Sequence, residues 1–269
     1  MQRFYHNVVA MKIAIVQMDC EWENPTANCK KVLKWVDESQ DAEFVIFPEM
    51  FSTGFTMHPE EVAENRNGAT VTFMKELAMR SGKALMGSIA TKTHTRTGER
   101  GYVNRLYFFA PDGIVLSYDK RHVFRMGYEH KKYFSGTSRT IIYYKGVRIC
   151  PMVCYDLRFP VWSRIKRNDY DVLVYVAAWP EARRYAWNTL LKARAIENLS
   201  YVVGVNRVGS DPNIEYAGDS VVLDYLGQPM VEIEPYKEGI TFTEIDMDTL
   251  AKYREEFPAY LDADNFKIV

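Results

Sequence analysis

The sequence predicts an α/β chain, and three observations carry that expectation. Short apolar runs of roughly four to eight residues rich in Val, Ile, Tyr and Phe recur along its length. Stretches with apolar residues at helical spacing lie between several of them, and Gly- or Pro-containing turns separate others.

The first run, residues 12–17, reads as a strand. Asn24-Pro25 then signals a helix start, since Asn caps a first turn and Pro suits the first helical position; Cys29, Val32, Leu33 and Val36 supply its apolar stripe. Residues 43–47 read as a buried strand. Phe73, Met74, Leu77 and Ala78 form a second helical stripe, closed by Gly82. Residues 84–90, 106–110 and 113–118 read as strands, with Pro111-Asp112-Gly113 turning between the last two. Residues 147–154, 172–177 and 201–205 complete the buried strands, and a helix over about 182–199 presents Trp187, Leu190, Leu191 and Ile196 for packing. Tyr225-Leu226-Gly227 marks a late turn. Pro151 removes a ladder donor inside its strand, which predicts a local bulge there.

Composition bounds the function. With 34 Lys+Arg against 35 Asp+Glu the formal net charge is -1, so the basic excess expected of a nucleic-acid or anionic-membrane binder is missing. At 47% hydrophobic residues the chain can bury a large core, which excludes general disorder. The densest apolar stretch, residues 171–179, is far shorter than the roughly 20 residues of a spanning helix. Lys12 and Asp19 interrupt any apolar leader, so a cytoplasmic protein is expected. The expected organisation is one domain over 11–269 behind a disordered extension, 1–10. Cys20, Cys29, Cys150 and Cys154 are too few for a disulfide framework and lack C-x-x-C spacing, so no structural metal is expected. Phosphate-cradling glycine motifs and the H-E-x-x-H zinc motif are missing as well.

The informative feature is that three apolar runs end on a reactive group. Residues 44–49 deliver the Glu49 carboxylate just after Pro48, residues 114–120 deliver the Lys120 amine, and residues 147–154 deliver the Cys154 thiol. Ligands in layered α/β folds sit beyond the carboxyl ends of strands, so one crevice could hold all three. Taken singly, Glu49 and Lys120 also read as strand-end charges reaching solvent, and Cys154 as a core thiol. Together they make a coherent acyl-transfer set: a carboxylate to take the thiol proton, an ammonium to favour anions and a nucleophilic sulfur.

At these positions the sequence resembles the nitrilase superfamily of carbon-nitrogen hydrolases. The resemblance rests on Phe47-Pro-Glu-Met50, Asp119-Lys-Arg-His-Val-Phe124 and Cys154-Tyr-Asp-Leu-Arg-Phe-Pro160, supported by Arg194-Ala-Ile-Glu-Asn198, Tyr201-Val-Val203 and Asn206-Arg-Val-Gly209, in order from about Met11 to the C-terminus. It implies a four-layer α-β-β-α sandwich, a Glu49-Lys120-Cys154 triad, Glu129 as a second acid fixing geometry, no cofactor, and pairing of two subunits through outer helices. The backbone N-H of Tyr155 would join Lys120 in stabilising an oxyanion. The strings around Lys120, Glu129-His130 and Cys154 to Trp162 look most like the omega-amidase branch, which releases ammonia from the terminal amide of 2-oxo acids such as 2-oxoglutaramate. A substrate carrying a carboxylate calls for a guanidinium, and Arg158, Arg125, Arg183 and Arg184 are the candidates, Arg158 foremost. Phe124 and Trp179 are expected to wall the pocket. The rival readings are a Cys-His dyad through His122 or His130, a deaminated-glutathione amidase, an N-carbamoyl hydrolase or nitrile hydrolase, and a non-catalytic binding module on the same scaffold.

Overall fold

The computed structural model describes residues 10–94 and 97–268. The expected N-terminal extension lies outside the described residues except for Ala10, which already pairs with Asp246 in the first strand. One sheet contains β1 (Ala10–Gln17), β2 (Phe44–Ile46), β3 (Ala84–His94), β4 (Arg100–Phe109) and β5 (Val115–Asp119) side by side. The second contains β6 (Ile142–Tyr144), β7 (Val147–Val153), β8 (Val172–Ala177) and β9 (Tyr201–Asn206). A two-stranded ribbon, β10 (Val208–Ser210) and β11 (Glu215–Ala217), precedes β12 (Val221–Leu223) and β13 (Pro229–Glu232), which extend the second sheet beyond β9. The last strand, β14 (Gly239–Asp246), returns to the first sheet and pairs antiparallel with β1 along its whole length.

Alternation along β1 shows why the layers stack as they do. Met11, Ile13 and Ile15 enter the core shared with the second sheet, beside Met152, Val174 and Val203. Ala14 and Val16 face the other way, into a core with Val32, Trp35, Met74 and Leu77. Those four belong to α1 (Pro25–Glu38) and, beyond the short α2 (Pro59–Val62), to α3 (Ala69–Ser81). Both faces of β1 are therefore apolar from Ile13 to Val16, and that part of its sequence reads as an unbroken hydrophobic run. After the one-turn α4 (Pro160–Ser163), the helix α5 (Arg184–Asn198) covers the far face of the second sheet, and α6 (Met247–Glu256) follows β14. The expected α-β-β-α sandwich is present. Among the described residues no helix is long and apolar enough to cross a membrane.

Local signals hold at the start of α1 and the end of α3. Asn24 Oδ1 accepts the Ala27 N-H at 3.1 Å, and Gly82, at φ 70°, ends α3 in the left-handed conformation. The bulge predicted at Pro151 is not there: β7 keeps an unbroken parallel register with β8 from Ile149 opposite Val172 to Val153 opposite Val176. The antiparallel neighbour β6 reaches only as far as Ile149, so the missing N-H of Pro151 falls where β7 is open along one edge.

Strand directions set the site. β1, β2 and β3 run parallel, and β5, reached through two antiparallel steps, runs with them; β7, β8 and β9 are likewise parallel. The carboxyl ends of β2 and β5 thus emerge at one edge of their sheet, and those of β7 and β8 at one edge of theirs.

Gly204 on β9 lets α5 lie close to the second sheet. A Cβ there would stand 2.5 Å from Leu191 Cδ1 and 2.9 Å from Trp187 Cζ2, both fully buried on α5. We expect Gly204→Ala to destabilise the fold by about 1–3 kcal/mol through overpacking. The measurement is a shift of the urea midpoint; an unchanged midpoint would show that α5 can move away freely.

Candidate active site

Glu49 lies three residues beyond β2, where Pro48 ends the run. Its N-H donates to Ala177 O at 3.4 Å and its Oε2 accepts the Ala178 N-H at 2.8 Å, so the end of β8 fixes this carboxylate from the opposite sheet. Lys120 is the first residue after β5, and its N-H donates to Asn104 O on β4 at 2.9 Å. Its Nζ donates to Glu49 Oε1 at 2.7 Å and to Glu129 Oε1 at 3.1 Å, with Glu129 Oε2 at 2.9 Å. Glu129 opens a short turn, Glu129–Lys131, and its Oε2 also accepts the Phe124 N-H. Asn104 Nδ2 completes the cluster by donating to Glu49 Oε1 at 2.6 Å and to Glu129 Oε1 at 3.3 Å. All four side chains are fully buried.

Asn104 is the residue that sequence reasoning missed. Both carboxylates face its amide N-H group, while its Oδ1 is buried without a partner. The opposite amide orientation would set an oxygen against two anions, so the network itself dictates this one. The only sequence signal was an Asn, a residue depleted in strands, amid the apolar residues Val103, Leu106 and Phe108.

Cys154 is the first residue past β7 and has φ 45°, the left-handed region that costs a residue with a Cβ about 1–3 kcal/mol. The turn it begins, Cys154–Arg158, is held by Asp156. Asp156 Oδ2 accepts the Val153 N-H at 3.0 Å and the Tyr118 hydroxyl at 2.8 Å. Its Oδ1 accepts the His122 N-H at 2.9 Å and lies 2.7 Å from His122 Nδ1. Tyr118 and His122 flank Lys120 in sequence, so one buried carboxylate ties the thiol turn to the lysine segment. This strained, tethered turn, and not a bulge at Pro151, orients the sulfur.

The electrostatics of the site follow from burial. Burial works against the Lys120 ammonium, but Glu129 and Glu49 outweigh it, and its pKa is raised; the group stays cationic. Burial pushes the Glu129 carboxyl above the usual range, opposed by Lys120 and reinforced by Glu49. The Cys154 thiol is pushed well up, first by burial and then by the Glu49 carboxylate, which also accepts its hydrogen bond, with Lys120 pulling the other way. The resting sulfur is therefore a neutral thiol beside a carboxylate that can take its proton. His122 is engaged by Asp156, and His130 Nδ1 is buried without a partner.

Cys154 opens on a narrow cleft whose walls include Tyr155, Arg158, Phe124 and Trp179, the four residues expected to meet substrate. Phe55, Ile214 and Arg183 join them. Of the four candidate arginines, Arg158 and Arg183 reach the cleft. Arg184 instead pairs with Asp219 at 2.6 Å and with Tyr236, and Arg125 is exposed on the turn Arg125–Gly127, off the cleft wall.

Comparison with known proteins gives the same architecture. The family model described as carbon-nitrogen hydrolase matches residues 12–255. An omega-amidase, YafV, of Yersinia enterocolitica is 42% identical over 96% of this chain and 99% of its own. A 2-oxoglutaramate amidase of Bacillus subtilis (strain 168) is 32% identical over 93% of this chain and 96% of its own. The crystal structure of XC1258 from Xanthomonas campestris, a CN-hydrolase superfamily protein with an arsenic adduct in its active site, superposes with a TM-score of 0.91 at 43% identity, covering 97% of this chain and 99% of that one.

The raised pKa of Glu129 makes stability depend on pH. Its folded form holds the proton more tightly than the unfolded chain does. That contribution is full below the ordinary carboxylate pKa and is lost as pH rises through the raised folded value. Glu129→Gln cannot suffer this loss, so its stability relative to the parent should improve as pH rises above the ordinary carboxylate range. Urea midpoints of both proteins followed over that rise provide the check, and a constant difference would contradict the shift.

Proposed function

The chain belongs to the carbon-nitrogen hydrolase family, and from that premise we propose that it is an omega-amidase, cleaving the terminal amide of small 2-oxo acid amides and releasing ammonia through a thioester on Cys154. The observation that carries this reading is the convergence of a thiol, an ammonium and two carboxylates from separate strand ends at the foot of one cleft.

Each step has a group suited to it. As Cys154 Sγ attacks the amide carbonyl carbon, Glu49 takes the thiol proton and the carbonyl oxygen becomes an oxyanion. Lys120 has three N-H bonds, of which contacts to Glu49 and Glu129 use two; the third is available for that oxygen. The Tyr155 N-H lies in the first turn after Cys154, where helical geometry supplies no acceptor, and serves as the second donor. A preorganised donor of this kind is worth roughly 3–4 kcal/mol of barrier. Collapse breaks the C-N bond, and Glu49 returns the proton to the nitrogen, which leaves as ammonia. Glu49 then takes a proton from water as the water oxygen attacks the thioester; the sulfur departs, recovers a proton, and the acid is freed. Glu129 and Asn104 act by holding Lys120 and Glu49 in register. Arg158, whose guanidinium sits 5.1 Å over the Trp179 ring at the cleft wall, is suited to the distal carboxylate of the substrate.

We also propose that the protein is cytoplasmic and works as a homodimer. Four free cysteines suit a reducing compartment. Tyr185 and Ile196 of α5, 82% and 54% exposed, give an outer helix the apolar character that a second copy would cover.

Cys154→Ala should abolish ammonia release from 2-oxoglutaramate while leaving the melting temperature nearly unchanged. Glu49→Gln should retard thioester hydrolysis, so that mass spectrometry finds an acyl group on Cys154. Turnover by Cys154→Ala above background, or loss of activity in His122→Ala and His130→Ala with Glu49→Gln unaffected, would replace this mechanism with a Cys-His dyad.

A further inference from the structure

We infer that Arg183 is a specificity residue, selecting amides whose far end carries a carboxylate beside a 2-oxo group and turning away their 2-amino counterparts. The inference rests on the omega-amidase reading and extends it to a residue and a means of discrimination.

Two guanidinium groups wall the cleft, and both are held there by aromatic rings. Arg158, from the thiol turn, lies over Trp179 at 5.1 Å, and Arg183, from the turn Glu181–Arg183 after β8, lies over Phe124 at 5.7 Å. Among the described residues neither has a carboxylate within ion-pair distance. The acids near Arg183 in sequence and space are already engaged. Glu181 Oε1 accepts the Tyr236 hydroxyl at 2.6 Å, and Asp219 is paired with Arg184 at 2.6 Å. Among the described residues Arg183 Nη2 donates to Met126 Sδ, at 2.9 Å, a weak acceptor that leaves most of the guanidinium's hydrogen-bonding capacity unused. Its backbone is nevertheless fixed, because its carbonyl accepts the Trp179 Nε1-H at 2.9 Å.

Two guanidinium groups without a carboxylate partner among the described residues exceed what one carboxylate requires. An adjacent 2-oxo oxygen adds a further acceptor, in the plane where a second guanidinium fork can bridge it and the carboxylate. A 2-amino acid amide brings the same carboxylate but also an ammonium, which would face the two positive charges on the cleft wall. Like-charge opposition of this kind discriminates more sharply than one extra attraction. The 2-oxo amide is thereby distinguished from glutamine by charge, although the two differ little in size.

The test compares 2-oxoglutaramate, glutamine and the neutral amide butyramide with the parent protein, Arg183→Ala and Arg183→Lys, after circular dichroism has verified folding. The kcat/KM ratio of 2-oxoglutaramate over butyramide should fall about tenfold or more in Arg183→Ala, the ratio of glutamine over 2-oxoglutaramate should rise, and Arg183→Lys should lie between. If both ratios stay at the parent's values in Arg183→Ala, whether overall rates fall or hold, the inference is overturned and Arg183 is only a structural support. Failure of the omega-amidase reading would look different, since the parent protein itself would then show no preference for 2-oxoglutaramate over butyramide.

Discussion

The Lys120 ammonium, enclosed between two carboxylates and fully buried, is the interaction on which the rest of the site depends. Taking an ion out of water costs several kcal/mol even after relaxation, and two anions side by side compound that cost. One cation touching both offsets it only if the geometry is close and the remaining lone pairs find donors. The fold meets that condition from many directions: the Ala178 N-H on Glu49, the Phe124 N-H on Glu129, and the Asn104 amide on both. The donors come from β4, from the end of β8 and from the segment after Lys120. The cluster can therefore form only once the sandwich has closed.

Burial first, and then the Glu49 carboxylate beside it, suppress the Cys154 thiolate. That would be a poor arrangement for a nucleophile required to stand ready as an anion, but it suits one that surrenders its proton during attack. A thiol kept neutral between substrates is also less exposed to adventitious oxidation, since the thiolate is the reactive form. Glu49 thus has two effects that look opposed: it disfavours the free thiolate, and it is the base that makes attack possible. They are reconciled because the proton moves only as far as Glu49 while the sulfur electron pair forms the new C-S bond, so the negative charge that Glu49 gives up reappears on the carbonyl oxygen, against Lys120.

How much of this was legible depended on whether a signal was local. Glu49, Lys120 and Cys154 could be read because each stands at the end of a strand run, those before Glu49 and Cys154 buried and that before Lys120 half-buried, a contrast visible in the sequence. Their meeting could not be read from periodicity, since it depends on β5 aligning with β2 through two antiparallel steps and on β7 facing them from another sheet; family resemblance supplied that expectation. Asn104 escaped because its role arises from the pairing of β4 with β3 and β5, and nothing in its neighbours foretells two carboxylates. The choice among arginines was equally hidden, being decided by which acids lie nearby: Asp219 takes Arg184 and leaves Arg183 unpaired. Pro151 misled because proline in a strand signals a bulge only when both edges are paired, and β6 stops short of it.

The thiol turn shows how position is secured against strain. A left-handed Cys154 persists only where its surroundings over-determine it, and Asp156 does this with interactions to Val153, Tyr118 and His122. Tyr118 also accepts from Trp162 Nε1 at 2.9 Å, beyond the turn, while the His122 ring stacks on Phe159 at 3.8 Å. The lysine segment and the thiol turn are therefore braced on both sides by the same aromatic residues, independently of the ionic cluster. Two attachments of different chemistry, one ionic at Glu49 and Lys120 and one through Asp156, fix the distance between sulfur and ammonium. With that distance set by the closed fold before any substrate arrives, little reorganisation remains to be done when charge develops on the bound amide.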